Sequence, residues 1–368
     1  MIYFDSAATS LLKPETVYRA VYKAMKTMAS PGRGAYAPAM IAAEELYSCR
    51  AAAAELFNAE GAQNVVFTSN ATEALNIAIK SLAEKGSKVI ISGFEHNSVL
   101  RPLSALGADI CVAGRKLFDP EAVLRDFERN IKGKELAVCT HVSNVFGFIL
   151  PIYEIAELCR ENSVPLIVDA SQSAGILDVD MKKLGAEFIA MPGHKGLMGP
   201  QGTGILLCAG SGRPLKEGGS GSDSASLYMP DYLPDRLEAG THNVCGIAGL
   251  RAGIEFIKKT GRENIFKHET GLMNYAAQKL QKSGYELFLG DNCSQLGVLS
   301  LRKKGISPDE IAQRLYKKGI CVRSGLHCAP LAHKSAGTIE GGTVRLSFSP
   351  FNSFTELKRS IEIFRAIL

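Results

Sequence analysis

What this 368-residue chain lacks narrows its class before any motif is read. It has no run of 18 or more apolar residues, so no segment reads as a membrane-spanning helix. It has no block of five or six basic residues: 42 Lys and Arg stand against 37 Asp and Glu, and the net charge of +5 is dispersed. That balance suits a small anionic ligand and leaves no footprint for nucleic acid. CxxC is absent, and the nine cysteines (Cys49, Cys111, Cys139, Cys159, Cys208, Cys245, Cys293, Cys321 and Cys328) are odd in number within a long chain. A disulfide framework and a structural zinc site are both disfavoured, and no metal is expected. The opening "MIYFDSAATS" shows no basic stretch ahead of an apolar one, so a cytoplasmic protein is expected. There is no internal repeat. The nearest thing to low complexity is "KEGGSGSDSAS" at 216–226, read as a mobile surface loop.

What is present is alternation. From about 62 to 210, short apolar runs ("NVVFTS", "KVIISG", "DICVAG", "LAVCTHVS", "PLIVDAS", "EFIAMPG", "GILLC") are separated by segments of helical spacing such as "ATEALNIAIKSLAEKG". Near-continuous apolar strands between helices are the mark of a mostly parallel sheet covered on both faces. After about 245 the pattern changes to two long helical stretches, then "LGVLSLRKKG", "ICVRSG" and "GTVRLSFS" with helices between and after. This predicts an α/β chain with a large domain over 15–245 and a smaller, mostly antiparallel α+β domain over 246–368. Residues 1–14 are expected near the smaller domain or at the junction.

Four places carry chemistry. In "FTSNATEAL" a strand ends and a helix begins among small hydroxyl residues; free N–H groups there suit a phosphate, and Asn70 or Thr72 also suits plain capping. "LIVDASQS" puts Asp169 at the carboxyl end of an apolar strand, where ligands bind in open α/β sheets. Such an acid serves as metal ligand, general base, partner of a cationic ring nitrogen, or loop cap. In "MPGHKGLMGPQGTG", Lys195 follows another strand among small residues, a setting for a Schiff-base lysine or for a solvated loop. Finally "VRSGLHCAPLAH" sets Cys328 among turn-forming and polar neighbours, whereas the other cysteines mostly lie in apolar segments and read as core. A phosphate turn, an acid for a ring nitrogen and a lysine for an aldehyde are together what pyridoxal 5′-phosphate requires.

The motifs "TSNATEALN", "EHNS", "SNVFG", "VDASQS", "GHK", "LEAGTHN" and "RSGLHCA", running from "YFDSAATS" to "VRLSFSPFN", make the chain resemble the class V aminotransferase family. Within it the chain is similar to the group II (Suf-type) cysteine desulfurases and selenocysteine lyases. The resemblance implies a fold-type I, pyridoxal 5′-phosphate-dependent transferase and assigns roles. Lys195 would hold the cofactor, Asp169 would pair with its pyridinium nitrogen, Gln172 with its phenolic oxygen, and His96 would stack on the ring. Ala71, Thr72 and His194 would bind the phosphate. Thr241 would reach the phosphate of a neighbouring subunit, implying a homodimer. Asn144 and Arg345 would hold the substrate carboxylate, and Arg323 would line the same substrate pocket. The implied reaction converts L-cysteine to L-alanine, Lys195 removing the α-proton and Cys328, as thiolate, taking the sulfur as a persulfide for a sulfur-acceptor protein. His327, Arg323 or the cofactor would favour the thiolate. The alternatives are L-selenocysteine as substrate, another class V activity, and a sulfur carrier without catalysis. The sequence departs from the family pattern twice: Pro192 stands where a hydroxyl residue usually contacts the phosphate, making Ser220 or Ser222 replacement candidates, and Leu326 stands where a histidine usually precedes His327.

Overall fold

The computed structural model describes residues 1–31, 34–290 and 294–366; Cys293 lies outside them. The strands are β1 (Ile2–Tyr3), β2 (Val65–Thr68), β3 (Lys88–Ser92), β4 (Asp109–Ala113), β5 (Leu136–Thr140), β6 (Leu166–Asp169), β7 (Phe188–Pro192), β8 (Gly204–Cys208), β9 (Glu286–Phe288), β10 (Val298–Arg302), β11 (Ile320–Cys321), β12 (Arg323–Gly325) and β13 (Thr343–Ser347). The helices are α1 (Glu15–Thr27), α2 (Ala37–Leu56), α3 (Ala71–Leu82), α4 (Asn97–Leu106), α5 (Pro120–Asn130), α6 (Ile152–Glu161), α7 (Met181–Leu184), α8 (Val244–Thr260), α9 (Arg262–Leu280), α10 (Pro308–Lys317), α11 (Pro330–Ser335) and α12 (Phe354–Ala366). Among the described residues no helix is long and apolar enough to cross a membrane.

The apolar runs between 65 and 208 form one seven-stranded sheet in the order β2-β8-β7-β6-β5-β3-β4. Pairs from β4 through β7 are parallel, and β8 runs antiparallel to both β7 and β2. Strands β2, β5, β6, β7 and β8 are buried throughout, as an interior sheet with both faces covered requires. One core cluster packs α2, α6 and α8 against one face, and another packs α3 and α4 against the other. The α/β, fold-type I expectation is met.

The later strands make a separate antiparallel sheet, β12-β13-β10-β9, over a third core cluster built around Phe4, Leu272, Leu299 and Leu346. The first residues belong to both regions. β1 pairs in parallel with β11, and Ser347 N–H donates to the Phe4 carbonyl. A few residues on, Ser10 N–H donates to the carbonyl of His194 and the Gln172 amide donates to the Ala7 carbonyl. Residues 2–10 are thus a strap laid from the small sheet to the large one.

Candidate active site

The parallel strands β5, β6 and β7 end together at Thr140, Asp169 and Pro192, and β3 runs on to His96. Their carboxyl ends open onto a cavity of about 220 Å³. Its walls include Ala71, Thr72, His96, Asn144, Asp169, Gln172, His194 and Lys195, joined from the small-sheet side by Arg323, Cys328 and Arg345. Residues from sequence positions 71 to 345 therefore meet in one place. Thr241 does not line it. It lies in a larger groove with Tyr36, Ser220, Ser222, Leu227 and Tyr228. Ser220 and Ser222 bond each other, and Ser222 bonds Asp235; neither lines the cavity that Pro192 borders, so neither replaces a phosphate donor within the chain. The 216–226 loop is without helix or strand and mostly exposed, with Lys216 paired to Glu73.

At one end, Asn70 caps α3: its side chain accepts the Glu73 N–H, and in return the Ser69 N–H donates to the Glu73 carboxylate. The Ala71 and Thr72 N–H groups have no partner among the described residues and sit on the cavity wall. Strand β8 passes close behind this turn: a Cβ on Gly204 would stand 2.8 Å from the Asn70 backbone, so only glycine fits. A residue that sequence reasoning passed over, Ser98, completes the end. Its hydroxyl lies 2.8 Å from the Thr72 hydroxyl and 2.9 Å from His96 Nδ1. Ser98 N–H also donates to Nδ1 at 3.1 Å. That acceptor role places the imidazole proton on Nε2. Burial then keeps the ring neutral by lowering its pKa to about 4. The signal for Ser98 was present in "EHNS".

Asp169 accepts the Ser171 N–H through Oδ1 at 2.9 Å, and Oδ2 has no hydrogen-bond partner among the described residues. Lys195 Nζ makes no hydrogen bond or ion pair among the described residues, and burial lowers its pKa to about 8 against the opposing pull of Asp169. A partly desolvated amine of this kind is a competent base and nucleophile near neutrality. Together the free N–H groups of α3, the open carboxylate oxygen and the unpaired amine fit a group bearing a phosphate, a cationic ring nitrogen and an aldehyde.

The opposite wall is built differently. His327 (φ 49°) and Cys328 (φ 57°) are consecutive left-handed residues, which costs ~1–2 kcal/mol each for side chains with a Cβ. The turn is held from the large-sheet side: Asn97 N–H donates to the Cys328 carbonyl at 2.8 Å and Asn144 Nδ2 to the His327 carbonyl at 2.7 Å. Cys328 is the exposed cysteine among the described residues, whereas Cys49, Cys139, Cys159 and Cys208 are buried as expected, and Cys111, Cys245 and Cys321 are half-buried. Of the three groups expected to favour the thiolate, His327, Arg323 and the cofactor, His327 is placed as a neutral, buried ring. Its Nε2–H faces the Thr343 carbonyl at 3.2 Å, its Nδ1 is buried without a partner, and burial drives its pKa down to about 2. Arg323 is left as the nearby fixed cation of that list.

Arg323 and Arg345 are direct cross-strand partners on β12 and β13. Two like charges opposite one another repel, and the arrangement suits a carboxylate placed between them. Arg345 is almost wholly buried, with Nη1 on the Asn144 carbonyl (2.8 Å) and Nη2 on Asp5 (2.6 Å); its Nε is buried without a partner. The Asn144 side chain donates one amide N–H to the Cys328 turn, and its main-chain carbonyl accepts from Arg345. Among the described residues no group of three His, Cys, Asp or Glu is arranged to hold a metal ion.

These features define a class. Residues 2–359 match the profile of the family "Aminotransferase class-V", and the chain belongs to that family. Its relatives there carry a narrower name. A probable cysteine desulfurase of Pyrococcus abyssi is 34% identical over 385 residues, an alignment covering 100% of this chain and 94% of that protein. One from Methanothermobacter thermautotrophicus is 34% identical over 374 residues, covering 97% and 92%. In structure, the apo cysteine desulfurase of Thermococcus onnurineus NA1 superposes with a TM-score of 0.93 at 33% identity, covering 100% of this chain and 94% of that one. The cysteine desulfurase CsdA of Escherichia coli, in an S-sulfonic acid form, gives 0.85 at 25% identity, covering 98% and 93%.

Proposed function

We propose that this enzyme is a pyridoxal 5′-phosphate-dependent cysteine desulfurase that converts L-cysteine to L-alanine and keeps the sulfur as a persulfide on Cys328. The observation that carries the reading is the meeting, in one cavity, of an unpaired lysine, a strand-end aspartate with an open oxygen, and an exposed cysteine on a turn bound to the opposite wall. Ala71, Thr72 and His194 would receive the phosphate, Asp169 Oδ2 the ring nitrogen, Gln172 the phenolic oxygen through its second amide N–H, and Lys195 the aldehyde. Bound there, the cofactor supplies an electron sink that makes the substrate α-proton removable and loosens the Cβ–S bond.

The chain's own groups do the rest. Lys195, with its pKa at about 8, accepts the α-proton. His96, its Nδ1 taken by the Ser98 N–H, would offer a neutral ring with its proton on Nε2 to the bound cofactor, leaving the charge balance undisturbed. Arg345 and Arg323 neutralise the substrate carboxylate. Cys328 Sγ attacks the substrate sulfur: the new S–S bond forms as Cβ–S breaks, and the electron pair left on carbon takes up a proton. The persulfide then faces solvent, where an acceptor protein can reach it.

A homodimer accords with Thr241, which lies outside its own chain's cavity, and with exposed apolar side chains on α1 (Tyr18, Tyr22, Met25) and α2 (Met40, Ile41, Tyr47). The relatives' names favour cysteine over selenocysteine as substrate. Incubating the purified protein and its Cys328→Ala variant with each amino acid, and measuring alanine, tests the reading. Alanine from cysteine that disappears in the variant supports it. Alanine from selenocysteine alone would make it a lyase, and no visible cofactor band after addition of pyridoxal 5′-phosphate would end both readings.

A further inference from the structure

Asp5 is 340 residues from Arg345 in sequence, yet its Oδ1 lies 2.6 Å from Nη2. Neither residue is free to drift. Asp5 bridges Ser347 in parallel register, Ser6 N–H donates to the Ser347 carbonyl, and Ala7 N–H donates to the Ser347 hydroxyl. Arg345 is two residues back on the same strand, β13, and hence on the same face as Ser347. Behind Asp5, the Tyr3 hydroxyl donates to the Asp5 carbonyl at 3.1 Å and to Thr9 at 2.9 Å, closing the strap on itself.

The contact answers two problems of the site. A buried guanidinium facing another arginine across the ladder is costly unless paired. A long side chain without fixed bonds would also present its fork to the cavity in many orientations. With Nη2 on Asp5 and Nη1 on the Asn144 carbonyl, the guanidinium plane is fixed at two points, one from the strap and one from the large-sheet side. Each of Nη1 and Nη2 spends one N–H on these bonds and carries a second, so donors remain for an incoming carboxylate.

We infer that Asp5 is a positioning residue for substrate: it holds the Arg345 fork in the orientation that receives the amino-acid carboxylate, making the N-terminal strap part of the active site. The inference rests on the reading of Arg345 as the carboxylate binder. It is tested on holoenzyme with Asp5→Asn, which keeps an acceptor but loses the charge, and Asp5→Ala, which loses both. A charge-assisted bond of this type is worth enough to raise KM for L-cysteine about tenfold in Asp5→Ala and less in Asp5→Asn, with kcat within about threefold. Binding of L-alanine, read from the cofactor's absorbance, should weaken in step, whereas binding of cysteamine, which has no carboxylate, should not change. A KM that falls or stays constant in Asp5→Asn overturns the inference, since Asp5 would then compete with substrate or act only in folding. Arg345→Gln separates the two levels: if it leaves KM unchanged, the reading of Arg345 fails; if it raises KM while the Asp5 variants do not, only the role of Asp5 fails. Should Asp5→Ala not fold, the sign of the KM change in Asp5→Asn decides.

Discussion

The two walls of the cavity are fixed by opposite means. On the large-sheet side Asp169, Lys195 and His96 stand at or just beyond the ends of parallel strands, in a ladder whose register sets Thr140 beside Asp169 and Asp169 beside Ala190. The ladder fixes the place of Asp169, and short turns carry Lys195 and His96 beyond the ends of β7 and β3. On the other side Cys328 sits on a turn in left-handed conformation, kept there by single hydrogen bonds from Asn97 and Asn144. A side chain at or just past a strand end is held closely by the scaffold, whereas one on a loop turn keeps room to move, and under the proposed function these would serve the cofactor and the reaching thiol respectively. Variants should accordingly separate loss of the cofactor from loss of sulfur transfer.

The largest effect belongs to the strand-end wall. Lys195→Ala should abolish alanine formation, a fall of ~10³-fold or more for the loss of the catalytic base alone. It should also remove the visible cofactor band after gel filtration. Cys328→Ala breaks the comparison from the other side: activity on cysteine should fall to background while the cofactor band stays at wild-type intensity. If the band is lost with Cys328, the two walls are not independent.

Acid should discriminate between the walls next. His327 and His333 stack at 5.7 Å between ring centroids beneath the thiol turn, and His141 lies buried on the large-sheet side. Burial lowers His333 and His141 to about 4 and His327 to about 2. The native state thus keeps these rings neutral where the unfolded chain, with ordinary histidines near 6.5, binds protons. The contribution of these three histidines to stability should therefore be constant above pH 6.5 and fall as pH drops from 6.5 towards 4, by up to ~1.4 kcal/mol per pH unit for each, while the buried Glu95, raised to about 8, acts in the opposite direction. Thermal melting across that range measures the slope. His327→Gln with His333→Gln should remove more of it than His141→Gln, and equal slopes in wild type and double variant would contradict the assignment.

A smaller effect is expected at Asn144. Asn144→Ala deletes the bond to the His327 carbonyl, and one such bond corresponds to about a tenfold loss of kcat if the turn must hold its place during attack. The cofactor band should be unaffected. The rate of Cys328 alkylation by a small reagent should change, because the turn is released and the pocket is not.

The same division explains what was legible in the sequence. Apolar runs and strand-end polar residues are local signals, so the parallel sheet, Asp169 and Lys195 could be read from short stretches. The roles of His96 and Arg345 came from the family resemblance, because nothing local distinguishes them from a structural histidine and a surface arginine. Tertiary commitments were not legible. That Ser98 joins Thr72 to His96, that Asp5 pairs with Arg345, and that Asn144 spends its amide on the Cys328 turn depend on which elements meet, which no window of residues records. That His327 is a buried, neutral ring, and so would not favour the thiolate by charge, was not legible for the same reason. Adjacency in sequence suggested contact, but the chain turns at Cys328 and sends the imidazole into the core against Thr343.

Leu326 supplies the finest test of the loop wall. It is 38% exposed and its carbonyl accepts the Ala329 N–H that closes the turn, a bond any residue can make through its backbone. Leu326→His should therefore leave the fold and the cofactor band as they are. Unlike the buried His327, an exposed imidazole there titrates near its ordinary 6.5 and is mostly neutral at pH 8, so its effect should depend on pH. Exposed charge pairs contribute at most about 1 kcal/mol, so alkylation of Cys328 should quicken by no more than about fivefold at pH 6 and should not change at pH 8. A larger acceleration, or one that persists at pH 8, would mean that position 326 acts on the thiol by contact and not through its charge, and the loop wall would then be as closely organised as the strand-end wall it faces.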